Sequence, residues 1–219
     1  MLSLSPSNYL YAITHSDHFG GEALALKTQQ VLQGGCRLIQ YRDKSGNTSK
    51  RLAEASQLHA LCGTFDAKLI INDDVDLALQ TGAAGVHLGQ GDDSVALARK
   101  RLGDNAIIGV TCHASLALAE QALQHGATYI AFGRFFTSAT KPNAPPAPMA
   151  LLQQARARWP NTVIVAIGGI NQGNANQVKA YGANYTAVCQ GVYHADNIAE
   201  YSQSFSQHVN QNQNARSVL

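Results

Sequence analysis

The chain has 219 residues, of which 45% are hydrophobic and 14% charged, and its formal net charge is +2. That apolar share suffices for one sizeable core and excludes a disordered chain, and the length suits one domain or at most two small ones. So slight a positive charge gives no concentrated basic face, which argues against a nucleic-acid partner and leaves small, locally recognised anions.

Short apolar runs alternate with longer segments of helical periodicity. Tyr9–Thr14 reads as a first strand, with a helix over Glu22–Gln33. Arg37–Tyr41 is a second strand, leading to a helix over Thr48–Cys62. Lys68–Ile71 and Ala84–Leu88 are the third and fourth, before a helix at Ser94–Arg101. Ala106–Thr111 precedes a helix over Ser115–Gln124, where Leu116, Ala119, Ala122 and Leu123 share one face. Thr128–Phe132 and Thr162–Ile167 are the sixth and seventh strands, then a helix over Asn174–Tyr181, then Asn184–Cys189 as the eighth. The runs lack polar alternation, which is how parallel strands covered on both faces read.

Eight strands alternating with helices mean α/β. A single (β/α)8 TIM barrel needs roughly 200 residues, which this chain reaches. Gly34-Gly35, Gly82-Ala83, Gly126-Ala127 and Gly182-Ala183 precede strands two, four, six and eight, as though two strand–helix units formed a repeat. Left-handed glycine ending one helix explains each site. The repeat favours closure over a doubly wound open sheet. No linker divides residues 1–219, and the Gln-, Asn- and Ser-rich tail is expected to fray from about residue 205.

Cys36, Cys62, Cys112 and Cys189 show no CxxC spacing, so reduced thiols in the cytoplasm are expected. The N-terminus has no basic or apolar leader region. No apolar run approaches the ~20 residues of a membrane span, so no membrane is expected as partner.

Polar residues and glycines gather after the strands, at the rim where a barrel carries its active site. Gln40, Arg42 and Lys44 alternate and so point one way, a guanidinium and an ammonium suited to a diphosphate, although a solvated strand end also reads this way. Asp73 and Asp92 follow adjacent strands and together suggest a shared Mg2+, while Asp74 and Asp93 are more readily helix caps. Ser138-Ala139-Thr140-Lys141, stiffened by Pro142, Pro145, Pro146 and Pro148, can close over phosphate or be a surface loop without a task. Gly168-Gly169 and Cys189-Gln190-Gly191 follow strands seven and eight, where barrels cradle phosphate. The histidines show no metal-binding spacing. His87, on an apolar strand, reads as a satisfied core residue, and His113 ends a strand within reach of a substrate.

These residues in this order, Gln40-x-Arg42-x-Lys44, Leu69 to Leu79 with its Asn72-Asp73-Asp74, Gly85 to Asp92, Gly133 to Pro146 and Val165 to Ile170, resemble thiamine-phosphate synthase from about Tyr11 to Val192. The resemblance implies a (β/α)8 barrel that joins hydroxymethylpyrimidine diphosphate to thiazole phosphate with Mg2+. It assigns Gln40, Arg42, Lys44, Asn72, Thr111 and Lys141 to the pyrimidine diphosphate, with Arg42, Lys44 and Lys141 as the catalytic cations. It assigns Asp73 and Asp92 to the metal, and Ser138, Thr140, Gly169, Cys189 and Gln190 to the thiazole phosphate. Asp74 stands where the family often has Arg, Thr111 and Ser138 exchange one hydroxyl residue for another, Gln190 replaces a common Ser, and Arg134 a frequent Pro. A thiazole tautomerase, a non-catalytic barrel that binds thiamine phosphate, and a sugar-phosphate epimerase are the alternatives. Homo-oligomer formation is left open.

Overall fold

The structure, a computed structural model, describes residues 2–14, 19–137 and 145–206. Eight strands, β1 (Leu10–Ile13), β2 (Leu38–Tyr41), β3 (Lys68–Asn72), β4 (Gly85–Leu88), β5 (Ile107–Thr111), β6 (Tyr129–Phe132), β7 (Val163–Ile167) and β8 (Tyr185–Val188), pair in parallel in sequence order. β8 returns to β1, with Tyr11 opposite Ala187, so the sheet closes. The expected (β/α)8 barrel is the fold, and the doubly wound sheet is excluded.

The helices are α1 (Gly21–Gln33), α2 (Thr48–Thr64), α3 (Val75–Thr81), α4 (Val95–Leu102), α5 (Leu116–Gln124), α6 (Ala150–Arg158), α7 (Ala175–Ala180), a single turn α8 (Gln190–Tyr193) and α9 (Ile198–Gln203). Their starts follow side-chain capping: Asn47 accepts from Lys50 N, Asp74 from Leu77 N and Ser115 from Leu118 N. α4 corrects an expectation, because Ser94 rather than Asp93 is its cap, accepting from Leu97 N at 3.2 Å.

Two cores result from the alternation of strand side chains. Tyr11, Ile13, Leu38, Ile70, Ile107, Tyr129, Val163 and Tyr185 fill the barrel. Leu10, Ile39, Leu69, Val110, Ile130 and Ile164 face outward against the helices. On the inward positions, apolar residues lie toward the strand starts and polar ones (Gln40, Asn72, His87, Thr111) toward the strand ends. The barrel is thus plugged at one end and open to chemistry at the other.

The glycine repeat has a physical basis. Gly35, Gly82, Gly126 and Gly182 take φ values of 92°, 67°, 94° and 114°. In the second half of the barrel an arginine locks each such turn. Arg99 on α4 donates to the carbonyls of Gly103, Ala106 and Gly126 and to Thr128 Oγ1, which accepts from Ile108 N. Arg156 on α6 does the same with Pro160, Thr162, Gly182 and Asn184 Oδ1, which accepts from Ile164 N. These clamps lie at the closed end, away from the site.

The chain is anchored to the barrel as far as Ser206. Phe205 is 1% exposed, its carbonyl accepts from Tyr9 N at 3.0 Å, and Ser206 pairs with Asn8. Residues 207–219, which hold most of the tail expected to fray, lie outside the described ones. Among the described residues, no helix is long and apolar enough to cross a membrane.

Candidate active site

The strand ends surround a cavity of about 670 Å3. β2 and the loop after it bring Gln40, Arg42 and Lys44 to its wall. The intervening Asp43 points the other way, its carboxylate fully buried and held by Lys50 Nζ and Ser45 N, each at 2.6 Å. That anchor fixes the alternation beyond the end of the strand. Burial alone would raise the Asp43 carboxyl, but the hydrogen bonds from Lys50 and Ser45 and the lysine's charge hold it down at about 2. Thr14 braces the same stretch, donating its N–H to Gln40 O and accepting from Arg42 N on Oγ1.

β3 and β4 supply the acidic part. Asn72, Asp73 and Asp92 all line the cavity. Asp73 takes a left-handed φ of 65°, which Asp tolerates better than most residues, and its N–H donates to His87 O at 2.8 Å. Its carboxylate is ion-paired to Lys44 and hydrogen-bonded to Asp92. Asp92 Oδ2 also accepts from Gly89 N at 2.6 Å. Burial raises the Asp73 carboxyl, but the hydrogen bonds with Lys44 and Asp92 and the lysine's charge outweigh it and the group lies below the ordinary range. Burial, the shared hydrogen bond and the negative charge of Asp73 push Asp92 up. Asp74 is turned away: it caps α3 and pairs with Arg51 at 3.0 Å.

On the far wall are Thr111, Gly169, Cys189 and Gln190. Gly168 and Gly169 have φ values of 101° and 65°, and a Cβ on Gly169 would lie 2.3 Å from Thr137 O. Only glycine lets the loop after β7 pack so closely on the loop after β6. Ten of the expected site residues therefore surround one cavity. Ser138, Thr140 and Lys141 lie outside the described residues. Among those described, no cluster of three or more His, Cys, Asp or Glu side chains is placed to hold a metal.

Tyr129, 0% exposed in the barrel core, and two lining residues above it had no functional role from sequence. Tyr11 and His87 line the cavity, so His87 is a correction. Both its ring nitrogens are engaged, Nδ1 with Tyr129 Oη and Nε2 with Thr111 Oγ1, each at 2.8 Å. The available signal was Gly109 within β5: a Cβ there would sit 1.9 Å from Tyr129 Cζ, so the glycine makes room for the ring. Arg134 and His113, the latter at φ 49°, also line the wall.

The chain is similar to known proteins. The family model described as thiamine monophosphate synthase matches residues 10–192. A thiamine-phosphate synthase of Saccharophagus degradans is 52% identical over 190 residues, covering 86% of this chain and 87% of that one. One of Marinobacter nauticus is 50% identical over 184 residues, covering 84% and 82%. The solved thiamine phosphate pyrophosphorylase of Pyrococcus furiosus superposes with a TM-score of 0.82 at 30% identity, covering 93% of this chain and 96% of that one. A family match over the whole barrel, two relatives of half-identical sequence and a shared fold agree, and the chain belongs to the thiamine monophosphate synthase family.

Proposed function

We propose that the cavity binds the diphosphate of 4-amino-2-methyl-5-(diphosphooxymethyl)pyrimidine across Arg42, Lys44 and a Mg2+ ion at Asp73 and Asp92, and joins the pyrimidine to thiazole phosphate. The products are thiamine phosphate and pyrophosphate. The observation that carries this reading is the contact between the Asp73 and Asp92 carboxylates, with Lys44 on one of them, at the edge of a cavity that Arg42 also lines. Two adjacent carboxylates of which one is driven toward protonation are an arrangement that a divalent cation relieves. Mg2+ commonly takes one or two carboxylates and completes its shell with water and phosphate oxygens, so the donor set fits. Bound there, the ion supplies charge neutralisation for the departing diphosphate.

The remaining work falls to side chains. Arg42 offers a guanidinium fork to the diphosphate oxygens. Lys44 exchanges its Asp73 contact for them once the aspartate is engaged elsewhere. Lys141 adds a third cation by the family's pattern. The bond from the pyrimidine methylene to oxygen breaks with its electron pair leaving on pyrophosphate, and the 4-amino group disperses the positive charge left on carbon. The thiazole nitrogen then forms the new bond with its own lone pair, so no general base is needed. Gly169, Cys189 and Gln190 hold the thiazole phosphate on the opposite wall, which keeps the two reactants at attack distance. The comparisons favour condensation over the isomerising, binding-only and epimerase alternatives. Free cysteines and soluble substrates support a cytoplasmic setting.

The test is incubation with both substrates and Mg2+, followed by oxidation and fluorescence detection of thiamine phosphate. Metal-dependent fluorescence supports the reading. Isomerised thiazole phosphate without condensation overturns it, as does pyrophosphate binding that is indifferent to Mg2+.

A further inference from the structure

A continuous hydrogen-bonded chain crosses the barrel beneath the cavity and involves five strands. Gln40 Nε2 donates to Tyr11 Oη, Tyr11 Oη meets Tyr129 Oη, Tyr129 Oη meets His87 Nδ1, and His87 Nε2 meets Thr111 Oγ1, each at 2.8 Å. Tyr11, Tyr129 and Gln40 are 1%, 0% and 3% exposed, so the protein itself must satisfy these groups. Burial pushes both phenols well above their ordinary range, and each keeps its one proton.

That restriction makes the donors interdependent. A phenol has one hydrogen to give, and a neutral imidazole has one N–H. With the Gln40 amide nitrogen donating to Tyr11, the Tyr11 hydrogen must go to Tyr129. The Tyr129 hydrogen must then go to His87 Nδ1. His87 therefore carries its proton on Nε2 and donates to Thr111 Oγ1. The threonine's own hydrogen is left for the cavity at one end, and the Gln40 carbonyl oxygen at the other, since both residues line it. Reversing any single link leaves two hydrogens facing each other, or none.

We propose that Tyr11, Tyr129 and His87, with His87 in its Nε2–H form, are positioning residues that fix Gln40 as an acceptor and Thr111 as a donor toward the substrate ring. This deepens the proposed function and rests on it. An aminopyrimidine matches that polarity: its amino group gives a hydrogen and its ring nitrogens accept one. Tyr129 does not line the cavity and acts on the substrate only through its neighbours in the chain, so its loss weakens capture of the pyrimidine and leaves the thiazole phosphate side untouched.

Two measurements test this. In the full chain labelled with 15N-histidine, the His87 ring is expected to show a protonated Nε2 and an unprotonated Nδ1, and the opposite pattern overturns the assigned direction. In Tyr129→Phe, which keeps the ring and removes the link, KM for the pyrimidine diphosphate is expected to rise about tenfold, as for loss of one buried hydrogen bond, with KM for thiazole phosphate within twofold. Equal changes in both constants, or in neither, overturn the positioning role. If the wild-type chain makes no thiamine phosphate, the proposed function falls while the histidine signal still reports on the chain. If it does and either measurement fails, this inference alone falls.

Discussion

Replacing Asp73 by asparagine separates the charge of this residue from its shape. Asparagine is isosteric and accepts the left-handed φ of 65° that Asp73 adopts, so the backbone carries little new strain. Alanine would add a conformational cost of roughly 1–2 kcal/mol and confuse the result. Two electrostatic effects then oppose each other. The ion pair with Lys44 is lost, but that lysine is 53% exposed, so the pair is worth at most about 1 kcal/mol. The repulsion that pushes Asp92 up is relieved as well. The net change in stability is expected to be under about 1 kcal/mol, which for a chain of this size moves Tm by no more than about 4 °C. Turnover behaves differently, because the carboxylate proposed to hold Mg2+ is gone and the departing diphosphate loses part of its neutralisation. Removal of one such preorganised electrostatic partner costs about 100-fold or more in kcat. The assay pairs thermal denaturation with thiamine phosphate formation across a Mg2+ titration, and higher Mg2+ should restore part of the rate. A variant that keeps a third or more of wild-type turnover with an unchanged Mg2+ dependence would refute the metal assignment.

Other perturbations probe separate layers of the molecule. Gly109→Ala places a Cβ 1.9 Å from Tyr129 Cζ, so overpacking of about 1–3 kcal/mol is expected, with a lowered Tm and a raised KM for the pyrimidine diphosphate in steady-state kinetics. Arg99→Ala strips donors from the carbonyls of Gly103, Ala106 and Gly126 at the closed end of the barrel; a loss of about 2–4 kcal/mol in urea denaturation is expected, with kcat/KM of the remaining folded enzyme unchanged. Asp43 has a folded-state pKa of about 2, below its unfolded value near 4, so the stability it contributes is complete above about pH 4 and disappears as pH falls toward 2. That contribution is about 2 kcal/mol, and Asp43→Asn should flatten the fall in Tm over this interval relative to wild type.

The barrel was legible because parallel strands covered on both faces leave runs such as Leu69 to Ile71 and Val163 to Ile167 that read as strands without any alternation. The glycines before every second strand pointed to closure for a sound physical reason, since all four turns require positive φ. Three helices leave little signal in the sequence. α3 has seven residues and α8 four, too few turns for a period of 3.6 to declare itself. α6 follows a proline-rich stretch and buries only Leu151, Leu152 and Ala155. Asp93 reads as a cap from sequence because a carboxylate fits that task as well as a hydroxyl does. Which of two neighbouring capping residues starts α4 is a matter of backbone position, and Ser94 Oγ is the one within reach of Leu97 N.

The site divides along the same line. Charged residues beyond the strand ends announce themselves, because Arg42, Lys44, Asp73 and Asp92 have no reason to be apolar-core residues. Tyr11, Tyr129 and His87 are hidden by the very property that exposes the strands: with both faces apolar, nothing distinguishes a tyrosine packed against a helix, such as Tyr41, from one pointing into the barrel. Their task depends on hydroxyls and ring nitrogens meeting across strands that are separated in sequence by more than 20 residues in every case. Glycine supplies the missing phase information. An inward glycine on one strand predicts a large inward ring on its neighbour, and Gly109 beside Tyr129 in the β5–β6 register meets that condition. Gly85 is a contrasting case, because there the space is taken by the backbone of Ile107. A mid-strand glycine therefore marks a close approach, and only the identity of the opposing residue says whether it serves packing or the cavity.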